Sequence, residues 1–347
     1  MELYGRSWTR REFESRVGRL EQVAGLRRFT LAEGLEEGTE QIQVRTGSGL
    51  SYYITPSRAL DISLAEFAGV PFSWSSPSGD VHPSYYNPSG TEWLRTAAGG
   101  LLMTCGLTYV GAPGEDEGVE YGLHGRIHHL PARQTSVRGN WEGDEYHMTV
   151  SGIVEESAIF RENIRLSRTI RSKLGLNAVE IEDTVENLGF DPTPHMILYH
   201  FNFGFPLLSK DSYIDFPSGL VKAREPETPL RGFERWQDPQ PGYHERVYYH
   251  QELPREEVVV DIYNPRFPLG DGRGNQPLFV RLTWLRSQLP RLIQWKMAGE
   301  GIHVLGIEPA NCYVEGRAAE RERGTLEILN PGESRTYQLK LEVGLVT

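Results

Sequence analysis

Three stretches of the 347-residue chain concentrate groups that can move protons or hold ligands. The first is LHGRIHH at residues 123–129, which packs three of the ten histidines into six positions. Imidazoles titrate near neutral pH, so metal ligation, acid–base catalysis and plain surface hydrogen bonding are all open. As a strand, the segment sends His124, Arg126 and His128 to one face and His129 to the other. Residues four apart on a strand are roughly 13 Å apart, too far to hold one ion directly. Gly125 and strand-like surroundings disfavour a helix. Histidines hydrogen-bonded at a surface and a polar face lining a cleft both remain open, with metal binding the less favoured third.

The second stretch is HMILYHFNFGFPLL, residues 195–208. On a strand, His200, Asn202 and Gly204 share a face opposite Phe201 and Phe203. His200 is then either a hydrogen-bonded core residue, the commoner fate, or a group projecting into a pocket. His195, beside Pro194, reads as structural. The third is GIHVLGIEPANC, residues 301–312, an apolar strand ending in Glu308. An unpaired buried carboxylate is costly, so Glu308 needs a partner or an opening to water. Arg58 or Arg126 can supply an ion pair. Otherwise Glu308 is a candidate general base. GDGRGN at 270–275 lacks the Lys-Ser/Thr of a phosphate loop. GEDEG at 114–118 reads as a solvated loop, and no Gly-x-Ser-x-Gly elbow occurs.

The elements that must hold these groups read as strands. In NIRLSRTI, Ile164, Leu166, Arg168 and Ile170 fall on alternate positions. After an LGLN turn, Val179, Ile181, Asp183 and Val185 do the same, which predicts a hairpin with one wet face. Leu326 and Ile328 lead into an Asn330-Pro331-Gly332 turn, and Tyr337, Leu339, Leu341, Val343 and Leu345 alternate beyond it. Only Arg11 to Leu26 shows helical spacing, through Phe13, Val17, Leu20 and Val23. The expectation is an all-β protein. It is a large antiparallel sandwich with a short N-terminal helix, one domain over 1–347 with a helical extension at 1–27. Loops rich in Pro, Gly and Ser at 75–89, 111–118 and 270–277 fit connections over a sheet mouth.

Composition narrows the partners. A formal charge of −11 repels nucleic acid and anionic membranes. No apolar run spans a bilayer and no leader is seen, so a cytoplasmic location is expected. Two cysteines, Cys105 and Cys312, suit buried thiols better than a disulfide framework or a zinc site.

Several phrases, in order, resemble the aldose 1-epimerase (galactose mutarotase) superfamily, most closely the epimerase-like branch known as domain of unknown function 4432. They are TPSRALDI at 55–62, TCGLTYVGAP at 104–113, YGLHGRIHHLPA at 121–132, LYHFNFGFPLL at 198–208, QWKMAG at 294–299 and LGIEPANC at 305–312. The resemblance runs from about residue 28 onward. It implies a galactose mutarotase-like supersandwich and a cofactor-free, metal-free enzyme that interconverts sugar anomers. In that family the histidine of the first His-Gly pair assists at the sugar, which implies His124. A strand histidine is the acid, which implies His200, and a late-strand glutamate is the base, which implies Glu308. Arg126 follows the His-Gly pair where mutarotases often carry glycine, and Asn202 lies closer to His200 than in the usual motif.

Under this resemblance Glu308 takes the anomeric proton while His200 protonates the ring oxygen, the two held on two sides of one ring. Trp295 and Asn202 suit a neutral sugar. Arg58 and Arg126, joined by Lys296 and His128, suit one bearing an anionic group. The partner expected is a small-molecule sugar, and a homodimer is compatible. A non-catalytic carbohydrate-binding or sensing protein and a metal-assisted sugar isomerase or lyase are the competing classes.

Overall fold

Strands Asn163–Lys173 and Ala178–Asn187 form the hairpin that the alternation predicts, with Ile164 opposite Asn187 and Ile170 opposite Ile181. Its inward positions, Ile164, Leu166, Ile170, Val179, Ile181 and Val185, are buried in the main core. The computed structural model describes residues 1–270 and 272–346. Asp271, within the GDGRGN stretch, and Thr347 lie outside the described residues.

The hairpin belongs to an eight-stranded antiparallel sheet that also contains Ser334–Leu345, Asn275–Leu285 and Glu257–Pro268. Facing it is a twelve-stranded sheet, through which Arg291–Gly299, Ile302–Ala310, Thr193–Phe203, Leu102–Leu107 and Asp61–Phe67 run side by side. Buried residues of both sheets make one cluster, so the architecture is the expected sandwich. Among the described residues no helix is long and apolar enough to cross a membrane.

Strand Thr193–Phe203 is buried on both faces. Ile197, Tyr199, Phe201 and Phe203 point between the sheets. Met196 and Leu198 point the other way, into a second cluster with Met103, Cys105, Ile293 and Ala310. By the period of two, His200 and Asn202 share this second face. The loops between residues 76 and 131 cover it with Trp93, Tyr86 and Leu123.

The core between the sheets holds one charged assembly. Arg168 and Asp183 occupy inward hairpin positions and oppose each other in register. Arg168 donates Nε to Asp183 Oδ1 at 2.9 Å, Nη2 to Asp183 Oδ2 at 2.7 Å and Nη1 to Asp61 Oδ1 at 2.8 Å. It also reaches Thr104 Oγ1 at 2.8 Å, and Tyr199 donates its hydroxyl to Asp183 at 2.7 Å. Every partner is buried. A buried charge is tolerated when paired and fully hydrogen-bonded, and here the pairing clamps one sheet to the other.

Two local expectations are corrected. The helix predicted over Arg11–Leu26 is only Arg10–Glu14, started by a Thr9–Glu12 capping box. It is capped at Ser15, three residues before Gly18. Leu20–Gln22 is a 3-10 turn, and Gly25–Thr30 is already a strand of the large sheet. Val17, Leu20 and Val23 still pack, but onto a small satellite cluster around Phe13, Ala24 and Leu174.

LHGRIHH is not a strand. His124 and Gly125 take left-handed backbone angles, φ +56° and +72°, and Ile127–His129 is a 3-10 turn. Two successive left-handed residues cannot continue a ladder. A Cβ at Gly125 would lie 2.4 Å from Tyr109 O and 2.6 Å from Gly106 O, so only glycine permits this approach. The turn brings His124 and His128 onto one tryptophan, Trp93, at 5.2 and 5.8 Å between ring centroids.

Candidate active site

Leu198 pairs with Ala310 and Phe201 with Ile307, a register that sets His200 across from Glu308. Both side chains leave the sheet on its outer face, and His200 Nε2 lies 3.2 Å from Glu308 Oε1. They are 7% and 4% exposed. Gly306 makes the space for this. A Cβ there would sit 2.6 Å from Glu308 Oε1, 3.0 Å from Trp295 Cβ and 3.1 Å from His200 Cε1. Gly306 stands two residues before Glu308 on the same face, and Trp295 is its cross-strand partner.

Aromatic rings wall the pair. Trp295 lies 5.5 Å from His200 and is crossed by Trp74 at 6.3 Å. On the other flank His124 lies 6.1 Å from His200. Trp295 donates its indole N–H to the exposed Glu245 at 2.9 Å, and Arg224 pairs with the other oxygen of Glu245 at 2.9 Å. Trp93, Trp74 and Glu245 come from covering loops and an edge strand, and sequence reasoning missed them. Gly306 carried a readable signal, a glycine at same-face spacing from a buried carboxylate.

Burial favours the neutral forms of both members of the central pair. Burial pushes the Glu308 carboxyl up to about 8, the negative Glu245 adds to this, and Arg224 opposes it. Burial pushes His200 down to about 3, with His124 contributing. At neutral pH these shifts favour a protonated Glu308 carboxyl 3.2 Å from a neutral imidazole. Burial likewise pushes His124 down to about 4.

Buried polar atoms without partners gather around the pair: His200 Nδ1, Asn202 Oδ1, His124 Nδ1, Trp93 Nε1 and His128 Nε2. Unpaired buried polar atoms are rare and call for water or a ligand. Asn202 donates to the His200 carbonyl at 3.0 Å. His128 contacts Asp61 through Nδ1 at 2.7 Å. His129 stacks on Tyr86 at 4.0 Å and meets Thr96 Oγ1 at 2.9 Å.

Arg58, Arg126 and Lys296 do not converge on Glu308, although Arg58 lies near enough to His128 and His129 to act on both. Arg58 is buried and donates to the Val81 carbonyl, with Asp80 and Asp61 as its nearest charges and with Nε and Nη1 unpartnered. Arg126 is exposed. Neither arginine pairs with Glu308, so the ion pair expected as one alternative does not form. Lys296 leaves the strand on the face opposite Trp295 and donates Nζ to the carbonyls of Gly232 at 2.9 Å and Arg235 at 2.6 Å. Among the described residues no group of three or more His, Cys, Asp or Glu side chains is placed to hold a metal ion. Two surface hollows, around Arg27 and Arg45 and around Arg286 and Tyr313, share no residue with the Glu308–His200 pair.

Comparison with curated protein sequences gives no match. Among solved structures, the chain is similar to a Klebsiella pneumoniae protein provisionally named an aldose 1-epimerase, with 24% identity, 92% of this chain and 83% of that one covered, and a TM-score of 0.81. It is also similar to a galactose mutarotase-like protein from Clostridium acetobutylicum, at 13% identity, 94% and 100% coverage and a TM-score of 0.59. A galactose 1-epimerase from Lactobacillus acidophilus NCFM follows at 10% identity, 93% and 100% coverage and a TM-score of 0.57. At these identities the likeness establishes the fold. A family model spans residues 36–343, and the chain accordingly belongs to the family described as Domain of unknown function (DUF4432).

Proposed function

We propose that the protein is an aldose 1-epimerase-like isomerase that interconverts sugar anomers by proton transfer through Glu308 and His200. The observation that carries this is their 3.2 Å contact in a buried, ring-walled setting. Opening a cyclic hemiacetal requires removal of a proton from the anomeric hydroxyl and delivery of one to the ring oxygen. Both oxygens are bonded to the same carbon. An acid and a base in mutual contact on one edge of the sugar can therefore span them, rather than flanking the ring on two sides.

The neutral pair is one proton shift from its working form. Moving the Glu308 proton to His200 Nε2 yields a carboxylate and an imidazolium. The carboxylate takes the anomeric proton, the C–O bond to the ring oxygen breaks, and the imidazolium protonates that oxygen. The pair is neutral again, the open aldehyde rotates about its bond to the ring carbons, and the reverse steps close the other anomer. Each acid–base contribution is typically worth ~10²–10⁴-fold. Trp295 offers an apolar face and Asn202 Oδ1 an acceptor for the sugar. With Arg126 exposed and Lys296 on the opposite face, a sugar without an anionic group fits this edge best.

The test follows optical rotation of freshly dissolved D-galactose, D-glucose and L-arabinose with wild type, Glu308→Gln and His200→Asn. Acceleration by wild type and loss in both variants is expected. Turnover that persists in Glu308→Gln removes the base. The near-complete enclosure of the pair favours one second reading, a sugar-binding protein without turnover, and binding with no acceleration would establish it.

A further inference from the structure

Asp61 is a carboxylate met only by donors. Oδ1 accepts from Thr104 Oγ1 at 2.6 Å and Arg168 Nη1 at 2.8 Å. Oδ2 accepts from the Thr104 amide at 2.9 Å and lies 2.7 Å from His128 Nδ1. Asp61 and His128 are 3% and 2% exposed. Burial works to raise the Asp61 carboxyl, but His128, Arg168 and Thr104 outweigh it and hold it below the ordinary value. An ionised acceptor at Nδ1 requires N–H there. In a neutral imidazole the lone pair is then on Nε2.

That Nε2 is buried and has no partner. Its ring lies against Trp93, the same wall that His124 uses. His124 Nδ1 and His200 Nδ1 are also unpartnered, but no carboxylate sets the tautomer of His124. Among the described residues of this cluster, only His128 has its free nitrogen fixed as an acceptor by a hydrogen-bonded carboxylate behind it. Arg168 holds that carboxylate and is itself held by Asp183, which also accepts from the Tyr199 hydroxyl, so the tautomer is set by the clamp between the two sheets.

We infer that Asp61 is a positioning residue that locks His128 as the Nδ1–H tautomer, so that Nε2 accepts a hydrogen bond from a hydroxyl of the bound sugar beside the Glu308–His200 pair. This rests on the proposed reading of the site as a sugar site. It adds a specificity contact: the ligand carries a hydroxyl donor directed at Nε2, and a sugar lacking that hydroxyl leaves a buried acceptor unpaired.

Two measurements test it. Long-range ¹H–¹⁵N correlation spectra of the full-length wild type, with His128 assigned by its loss in His128→Gln, should show Nδ1 protonated and Nε2 bare. Titration with D-galactose, D-glucose and L-arabinose should then move the Nε2 resonance for the sugar that binds. An Nε2–H ring, a doubly protonated ring, or an Nε2 signal indifferent to every sugar overturns the inference. The second uses His128→Asn, whose amide nitrogen can keep the donor to Asp61 while Nε2 is deleted. Binding or KM should weaken about tenfold with the unfolding midpoint near wild type, the size of one lost hydrogen bond. Unchanged affinity with lowered stability would make His128 merely structural. Sugar binding at Nε2 without any acceleration sinks the isomerase reading and leaves this contact standing.

Discussion

Glu308 and His200 touch across neighbouring antiparallel strands, Oε1 to Nε2 at 3.2 Å, and among the described residues neither is ion-paired to an arginine or lysine. Burial is the largest influence on the Glu308 carboxyl and favours its neutral form, Glu245 adds to it, and the more distant Arg224 only opposes it.

If Glu308 and His200 transfer protons as proposed, replacing either should remove that transfer. Glu308→Gln and His200→Asn are expected to lower the rate of anomer exchange by ~10²–10⁴-fold each. Their double variant should lose little more, because the two act as one unit. Polarimetry on the three proteins checks this. Additive losses would show two independent groups.

The pH dependence separates a shared proton from a lone base. Activity carried by the singly protonated pair should hold through neutral pH and fall as pH rises past about 8, where the Glu308 proton leaves. A rate that instead climbs through the same range would assign Glu308 as a base working without His200. A pH–rate profile of kcat/KM decides between them.

Stability carries its own signature. Glu308 binds its proton more tightly folded than unfolded, since burial raises it from 4.5 to about 8. Its contribution is complete below about 4.5 and is lost as pH rises toward 8, by at most ~1.4 kcal/mol per pH unit. His200 runs the other way: lowered from 6.5 to about 3, it costs stability as pH falls below 6.5. Between pH 6.5 and 8 only the Glu308 loss operates within this pair. Urea midpoints over that window should decline in wild type and flatten in Glu308→Gln.

Gly306→Ala tests the space behind the pair. The new methyl meets Glu308 Oε1 at 2.6 Å and Trp295 Cβ at 3.0 Å, and the tryptophan atom, next to its backbone, has little room to move. An overpacking cost of about 1–3 kcal/mol is expected, with a loss of turnover larger than the loss of stability explains. Denaturation and polarimetry on one preparation give both numbers.

Arg168→Met strands Asp61 and Asp183 without their shared cation. Breaking a buried ion pair from one side costs about 3–5 kcal/mol. Chemical denaturation should show that loss, and a near-wild-type midpoint would mean the clamp is not needed for folding.

Alternation made much of this legible. The hairpin of Asn163–Lys173 and Ala178–Asn187, the opposition of His200 to Phe201 and Phe203, and the placement of Glu308 on a strand buried on both faces all follow from a period of two. The same alternation put Arg168 and Asp183 on the inward face, but not their meeting with Asp61, which depends on the packing of the two sheets. LHGRIHH was misread as a strand because its geometry is set by backbone contacts of Gly125 with Tyr109 and Gly106, which no local pattern encodes. The helical spacing of Val17, Leu20 and Val23 extends past the true helix end because all three pack on the Phe13 cluster from a 3-10 turn and the segments flanking it. Trp93 and Glu245 reach the site from irregular or edge segments, where periodicity has nothing to say.

The left-handed backbone at His124 and Gly125 makes that dipeptide a stricter signpost than its imidazole alone. A chain with histidine at the first place but any side chain at the second would have to push the Tyr109 and Gly106 carbonyls away from this turn. Recognising this site in other chains therefore depends on finding the glycine, and a count of histidines would mislead.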